Sequence, residues 1–244
     1  MNAFLLKDGG QENPYHLFFY MIGQLKAFDD GVSNVEFYYP PTDSILVEGA
    51  FSNLPPRFHR HTVIRNDCTY IESTVDSITR IKPEDESWVF KYIRSLYEHI
   101  WSQFKRINGK YTYISRKKAS SRRMANESDY VDDLQKLGFS VVCMEDLSFL
   151  EQIQLFAESQ IITGPHGAAF TFAVFSYKDT MLYEIYPPEH MKGHYISLAY
   201  ECGLQYNRFY TISSFDHVSH DMTLRKETYL EDLQFIIYTM EFLI

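Results

Sequence analysis

Cysteine is scarce: the 244 residues hold three, Cys68, Cys143 and Cys202, and none sits in a CxxC pair. An odd number at long spacing argues against a disulfide framework or a cysteine zinc site and for a reducing compartment. Positive charge is in deficit, with 23 Lys and Arg against 32 Asp and Glu and a net charge of -9. Such a chain is a poor binder of nucleic acid. No run of 18 or more apolar residues occurs, so no helix is expected to span a membrane. The N-terminus lacks the basic stretch followed by an apolar one that directs secretion. These gaps lead to the expectation of a cytoplasmic protein, or of host cytoplasm if it is viral. The secretory pathway is expected instead if a leader precedes Met1. GxSxG, HExxH, Walker A and GxGxxG strings are absent, as are repeats and low-complexity tracts.

What is present suits a globular α/β protein. Apolar residues make up 45% and aromatics 16%, with 19 Tyr and 19 Phe against 2 Trp. The length fits one large or two small domains. Residues 3–6, 35–39, 45–47 and 61–64 read as short strands. Asn13-Pro14 reads as the N-cap and first position of a helix to about Phe28. Residues 87–104 form an apolar stripe at steps of four, predicting a helix. Beyond Asn108-Gly109 strands and helices alternate. Strands are predicted at 111–115, 139–143, 160–163 and 181–186. Helices are predicted at 127–137, closed by Gly138, at 149–158, opened by a Ser148/Glu151 capping box, and at 168–175. A last helix covers about 225–243. This alternation implies a parallel sheet covered on both faces, with ligand loops at the carboxyl ends of its strands.

Charge is segregated along the chain. Residues 105–126 contain eight bases and no acid, whereas 127–158 hold eight acids and one base. A basic loop between a strand and a helix on an acidic protein suits a small polyanion such as a diphosphate. The competing reading, a solvated basic face, is preferred for Lys117 and Lys118; function is favoured for at least one of Arg116, Arg122 and Arg123. The second signal is Gly164-Pro165-His166-Gly167-Ala168-Ala169-Phe170, where backbone can approach a ligand and a helix start can face an anion. A tight turn needing glycine only for packing remains the alternative. Third, His16 lies at a helix start and is a candidate general base or a structural histidine. Asp8, Glu12 and Asp67 are other candidate bases, each also readable as a surface acid. His59/His61 and His217/His220 have metal-compatible spacings without a completing carboxylate or cysteine, so a metal site is not expected.

From Tyr113 to about Tyr206 the sequence resembles the core of glycosyltransferase family 61, which includes plant xylosyl- and arabinosyltransferases and animal O-linked N-acetylglucosaminyltransferases. The resemblance rests on Ile114-Ser115-Arg116, on Arg122 before Asn126-Glu127, and on Glu145 after a strand. It continues in Ser148-Phe149-Leu150-Glu151-Gln152, GPHGAAFTF at 164–172, Tyr183-Glu184-Ile185-Tyr186 and Tyr195-Ile196-Ser197-Leu198-Ala199. Near the N-terminus NPYHLFFYMIGQL at 13–25 keeps the family's Asn, Tyr and His, but Tyr20 stands where an acid is usual. The loop has Gly167-Ala168-Ala169-Phe170 where the family has GAGL.

The resemblance implies a GT-B fold, two Rossmann-like domains facing across a cleft. The acceptor-side domain would span 1–105 and the donor domain 106–224, with helix 225–244 crossing back onto the first. It implies an inverting transferase that uses a nucleotide-sugar, UDP-linked in the family, on a glycan or glycoprotein acceptor. No Asp-x-Asp string occurs, and the arginines with a helix N-terminus can neutralise a diphosphate, so no metal or other cofactor is expected. The implied donor site is Arg116, Arg122, Asn126, Glu127, Glu145, His166, Gly167, Ala168 and Glu184, with Glu184 on ribose hydroxyls. His16 is the expected base, with Asp67 or Glu12 as its rival. A non-catalytic nucleotide-sugar- or glycan-binding protein of the same fold, or an α/β domain with no donor site, fits the same residues.

Overall fold

A computed structural model describes residues 2–5, 13–26, 35–39, 43–59, 62–64, 86–187, 193–211 and 221–242. Asp8, Glu12, His61, Asp67, Cys68, His217 and His220 lie outside the described residues, as does the side chain of His59.

Two parallel sheets are present. The smaller has the order β1 (Asn2–Leu5), β2 (Val35–Tyr39), β3 (Thr62–Ile64). The larger is built from β4 (Tyr111–Ser115), β5 (Phe139–Cys143), β6 (Ile161–Pro165), β7 (Met181–Tyr186) and β8 (Gln205–Tyr210). Its order is β5-β4-β6-β7-β8, all parallel. The first strand of this unit, β4, therefore lies between the second and the third. Chain connections leave β4 toward one edge and β6 toward the other, so a crevice opens between their carboxyl ends, where open α/β sheets bind ligands.

Both faces of the larger sheet are covered, which explains its apolar strands. One face carries Phe149–Glu158, Ala168–Phe175 and His194–Cys202, and the N-terminal helices pack onto these in a single core. Phe18 sets its ring against Phe172 and Phe175 at 5.3 and 5.8 Å between centroids. The opposite face is closed by Val131–Lys136 and by the last helix, Lys226–Phe242.

That helix was expected on the first domain and instead lies on the larger sheet. Tyr229, Leu233, Ile236 and Met240 form its buried stripe. Tyr229 shares a 2.7 Å hydrogen bond with Thr163 and stacks on Tyr183, whose hydroxyl donates to Asp232 at 2.8 Å. The expected strand at 45–47 is also corrected, since Ile45–Ser52 is a helix. Ser44 caps it by accepting from Val47 N, and Val47, Ala50 and Phe51 bury one face. Gly49 lets this helix touch the helix Phe149–Glu158: a Cβ there would stand 2.5 Å from Phe149 Cβ. The helix expected at 168–175 is present as a 3-10 helix, buried nearly all round. The capping box at Ser148 and Glu151 forms as read from the sequence. Among the described residues no helix is long and apolar enough to cross a membrane.

Candidate functional site

The carboxyl ends of β4 and β6 bring the basic loop and the glycine-rich turn together. Gly164 makes this possible, because a Cβ on it would meet the Ile114 carbonyl oxygen of β4 at 2.5 Å and its φ is +154°. The chain leaves β4 directly into Arg116. This guanidinium donates to Ser121 O at 3.0 Å, and its Nε is buried without a hydrogen-bond partner. Its Nη1 lies so close to Gly167 that a Cβ there would come within 2.0 Å. Gly167 has an extended backbone (φ -178°), so its lack of a side chain serves space and not conformation.

Arg122 stands beside Arg116 on a backbone with φ 58°, a strained value for a side-chain-bearing residue. Among the described residues its guanidinium has no hydrogen-bond or ion-pair partner. Burial, and then the Arg122 charge, pulls Arg116 down to about 10, while Glu145 and Tyr195 act in the opposite direction. Arg116 stays charged near neutrality, and two adjacent guanidiniums favour an anion between them. Two other bases of the loop are committed elsewhere. Arg123 forms a two-pronged pair with Asp221, at 2.8 Å for the shorter prong, and Lys118 pairs on the surface with Asp146.

His166 follows β6 and anchors to β7 through its backbone N–H on Ile185 O at 2.8 Å. Its Nδ1 bonds to Glu184 Oε1. Glu184 Oε2 accepts from the Tyr206 hydroxyl, which in turn accepts from Arg208 Nε at 2.6 Å. Arg208 lies over the Tyr186 ring, 4.1 Å from its centroid. Glu184 is 0% exposed with both oxygens engaged, so it presents no open carboxylate to a ribose, contrary to expectation. Burial lowers the His166 pKa; Glu184 opposes that, and Arg122 and Arg116 add to it. Tyr195, 4% exposed, packs its ring 5.5 Å from that of His166.

Asn126 and Glu127 also spend their side chains on the fold. Asn126 clamps Leu224 through both its N–H and its carbonyl, at 3.2 and 3.0 Å. Glu127 accepts from Tyr113 at 2.9 Å and Ser115 at 2.8 Å, tying its turn beneath the end of β4. Glu145 is exposed on the Met144–Asp146 turn, close enough for its charge to act on Arg116. Ala168 opens the 3-10 helix after Gly167.

His16 ends the short helix Pro14–His16, whose Asn13 cap accepts from Tyr15 N at 2.9 Å. This helix packs against Ala168–Phe175, and Tyr15 reaches His194 with its hydroxyl at 3.2 Å. The N-terminal histidine is thereby carried to the flank of the second unit. Tyr206 and Arg208 were not expected in the site, because β8 was not read from the sequence. The alternation of Tyr206, Arg208 and Tyr210 against buried Phe209 was the signal available. Among the described residues no group of three or more His, Cys, Asp and Glu is placed to hold a metal ion.

The sequence model of a family described as Glycosyltransferase 61 matches residues 37–183. No curated protein matches the chain. The matched segment holds Arg116, Arg122, Glu145 and the glycine-rich turn, and stops one residue before Glu184.

Proposed function

The chain belongs to glycosyltransferase family 61, and from that premise we propose that it transfers a sugar, with inversion, from a nucleotide-sugar to a hydroxyl of a glycan or glycoprotein. A UDP-sugar is the preferred donor because the family uses UDP-sugars. The observation that carries the reading is the pairing of Arg116 with Arg122, which has no partner among the described residues, against Gly167 at the crevice between β4 and β6. In this reading the two sheets belong to two Rossmann-like units of a GT-B fold, and the acceptor approaches from the N-terminal side.

The acceptor oxygen attacks the anomeric carbon as the bond to the diphosphate breaks, and the electron pair passes to the phosphate oxygen. Arg116, Arg122 and the backbone at Gly167 and Ala168 take up that charge without a metal. Losing one such preorganised donor typically costs about 2.7–4 kcal/mol of barrier. His16 takes the acceptor proton, with Asp67 as the rival base. Glu145 contacts the ribose or the base.

A thermal-shift panel of nucleoside diphosphates and nucleotide-sugars tests the donor site. A ligand at 100 times its Kd stabilises by about 2.7 kcal/mol. A shift with UDP and its sugars supports the reading, and no shift with any nucleotide overturns it. Tyr20, standing where the family has an acid, favours a second reading as a non-catalytic binding protein. Nucleotide-sugar binding with neither hydrolysis nor transfer would select that one.

A further inference from the structure

Arg122 lies beyond Ser115, the last residue of β4 in register with a neighbouring strand, so the sheet ladder does not fix where it stands. Its backbone nevertheless holds φ 58°, a conformation that a residue with a side chain keeps only where its surroundings enforce it. The φ and ψ of Arg122 are set by the two peptide planes that flank its Cα. The plane before carries the Ser121 carbonyl, which accepts from Arg116 Nη2 at 3.0 Å. The plane after carries the Arg123 N–H, which donates to Asp221 Oδ1 at 2.9 Å. A charged side chain thus holds each plane, and charge-assisted hydrogen bonds are the stronger kind.

Asp221 belongs to a stretch that follows β8 in the chain and is itself anchored. Met222 donates its N–H to Arg123 O and accepts from Ala125 N on its carbonyl, both at 2.8 Å, so the two segments run parallel past Met124. Asn126 clamps Leu224 one step further on. Met222 and Leu224 are buried with Met124 and Tyr229 in the core between the larger sheet and the last helix. The Arg123 side chain reaches back to both Asp221 oxygens. One carboxylate therefore holds the residue after Arg122 by its backbone and by its side chain.

We propose that Asp221 is a positioning residue of the donor site: by holding the Arg123 N–H it keeps Arg122 in the left-handed conformation that presents its guanidinium, beside Arg116, to a diphosphate. The proposal rests on the donor-site reading above. Asp221 acts through Arg122 and takes no part in the chemistry. The sign of its effect separates this role from a plain charge effect. A carboxylate near a diphosphate repels it, so by charge alone the loss of Asp221 tightens binding. If Asp221 positions Arg122, its loss lets Arg122 relax to negative φ, and affinity falls with the fraction of molecules that still present the guanidinium.

The test is calorimetric titration with UDP, with a thermal melt of each variant. Asp221→Ala is expected to weaken UDP binding by roughly three- to tenfold, and by no more than Arg122→Ala does. Arg123→Ala leaves the backbone N–H on Asp221 and is expected to lose less than Asp221→Ala, the reverse of the order that charge dictates. The double variant Arg122→Ala/Asp221→Ala is expected to bind like Arg122→Ala alone, because losses do not add when one residue works through the other. A merely structural role would add a further loss there and depress the melt. Should Asp221→Ala fail to fold, Asp221→Asn decides by sign: it keeps an acceptor without the charge, and weaker binding is expected. Unchanged or tighter UDP binding in the Asp221 variant, a larger loss in Arg123→Ala, or additive losses in the double variant overturns the positioning claim and leaves the donor site standing. No binding of UDP to wild type, or unchanged binding in Arg122→Ala, overturns both.

Discussion

Alanine at position 167 adds one methyl group where the structure has space for none. Its Cβ would stand 2.0 Å from Arg116 Nη1 and 2.9 Å from Cζ. Ordinary contact needs about 3.5 Å, so the guanidinium must retreat by roughly 1.5 Å. The backbone at Gly167 is extended and accepts alanine, and the atoms that move are the far end of a flexible side chain. The fold should lose no more than the Ser121 bond, about 1 kcal/mol. The site should lose a charge-assisted hydrogen bond worth about 1.5–3 kcal/mol, which is roughly 10- to 150-fold in diphosphate affinity. Gly164→Ala is the contrast within the same turn. Its Cβ would meet the backbone oxygen of Ile114 at 2.5 Å on a φ of +154°, and neither can yield cheaply. Overpacking of about 1–3 kcal/mol and backbone strain of similar size should lower its stability directly. UDP titration and thermal melts of both variants check this. Wild-type affinity in Gly167→Ala, or a melt as depressed as that of Gly164→Ala, would refute the argument that Gly167 exists to admit Arg116.

Arg122→Ala should weaken UDP binding by roughly tenfold or more, whereas Lys118→Ala, which breaks only the surface pair with Asp146, should leave it unchanged; equal Kd values for wild type and Arg122→Ala would reduce the loop to a charged surface. His16→Ala should lower kcat by about 10²–10⁴-fold with little effect on UDP affinity; wild-type turnover in that variant, with loss in Asp67→Asn, would move the base to Asp67. Turnover should survive EDTA, since arginines and backbone N–H groups are assigned to the diphosphate. Loss of activity on chelation, restored by manganese, would reject that assignment.

Much of the larger sheet could be read from the sequence because its strands are short apolar runs bounded by glycine, proline or charge. β4, β5 and β7 occupy the residues expected of them. The helix Phe149–Glu158 was legible for a different reason, a capping box that acts within four residues. Ile45–Val47 misled because β-branched residues favour strands locally, while the Ser44 cap and burial on Phe149 decide for helix. The last helix was legible as a helix, but its partner depends on where Tyr229 and Asp232 find Thr163 and Tyr183, far away in the chain. The same holds for the site. The basic loop and the glycine turn are local patterns, and the order β5-β4-β6 joins them. That Glu184 serves His166 is a matter of β6-β7-β8 register, which residue spacing does not encode. Asn126 and Glu127 sit where a donor-binding motif would place them, yet their partners are Leu224, Tyr113 and Ser115.

A crystal structure of the protein with UDP tests the central claim most directly. The account predicts the diphosphate in the crevice between β4 and β6, with oxygens in reach of Arg116 and Arg122 and the backbone of Gly167 against it. Nucleotide bound to the N-terminal sheet alone, away from Arg116 and Arg122, would contradict it.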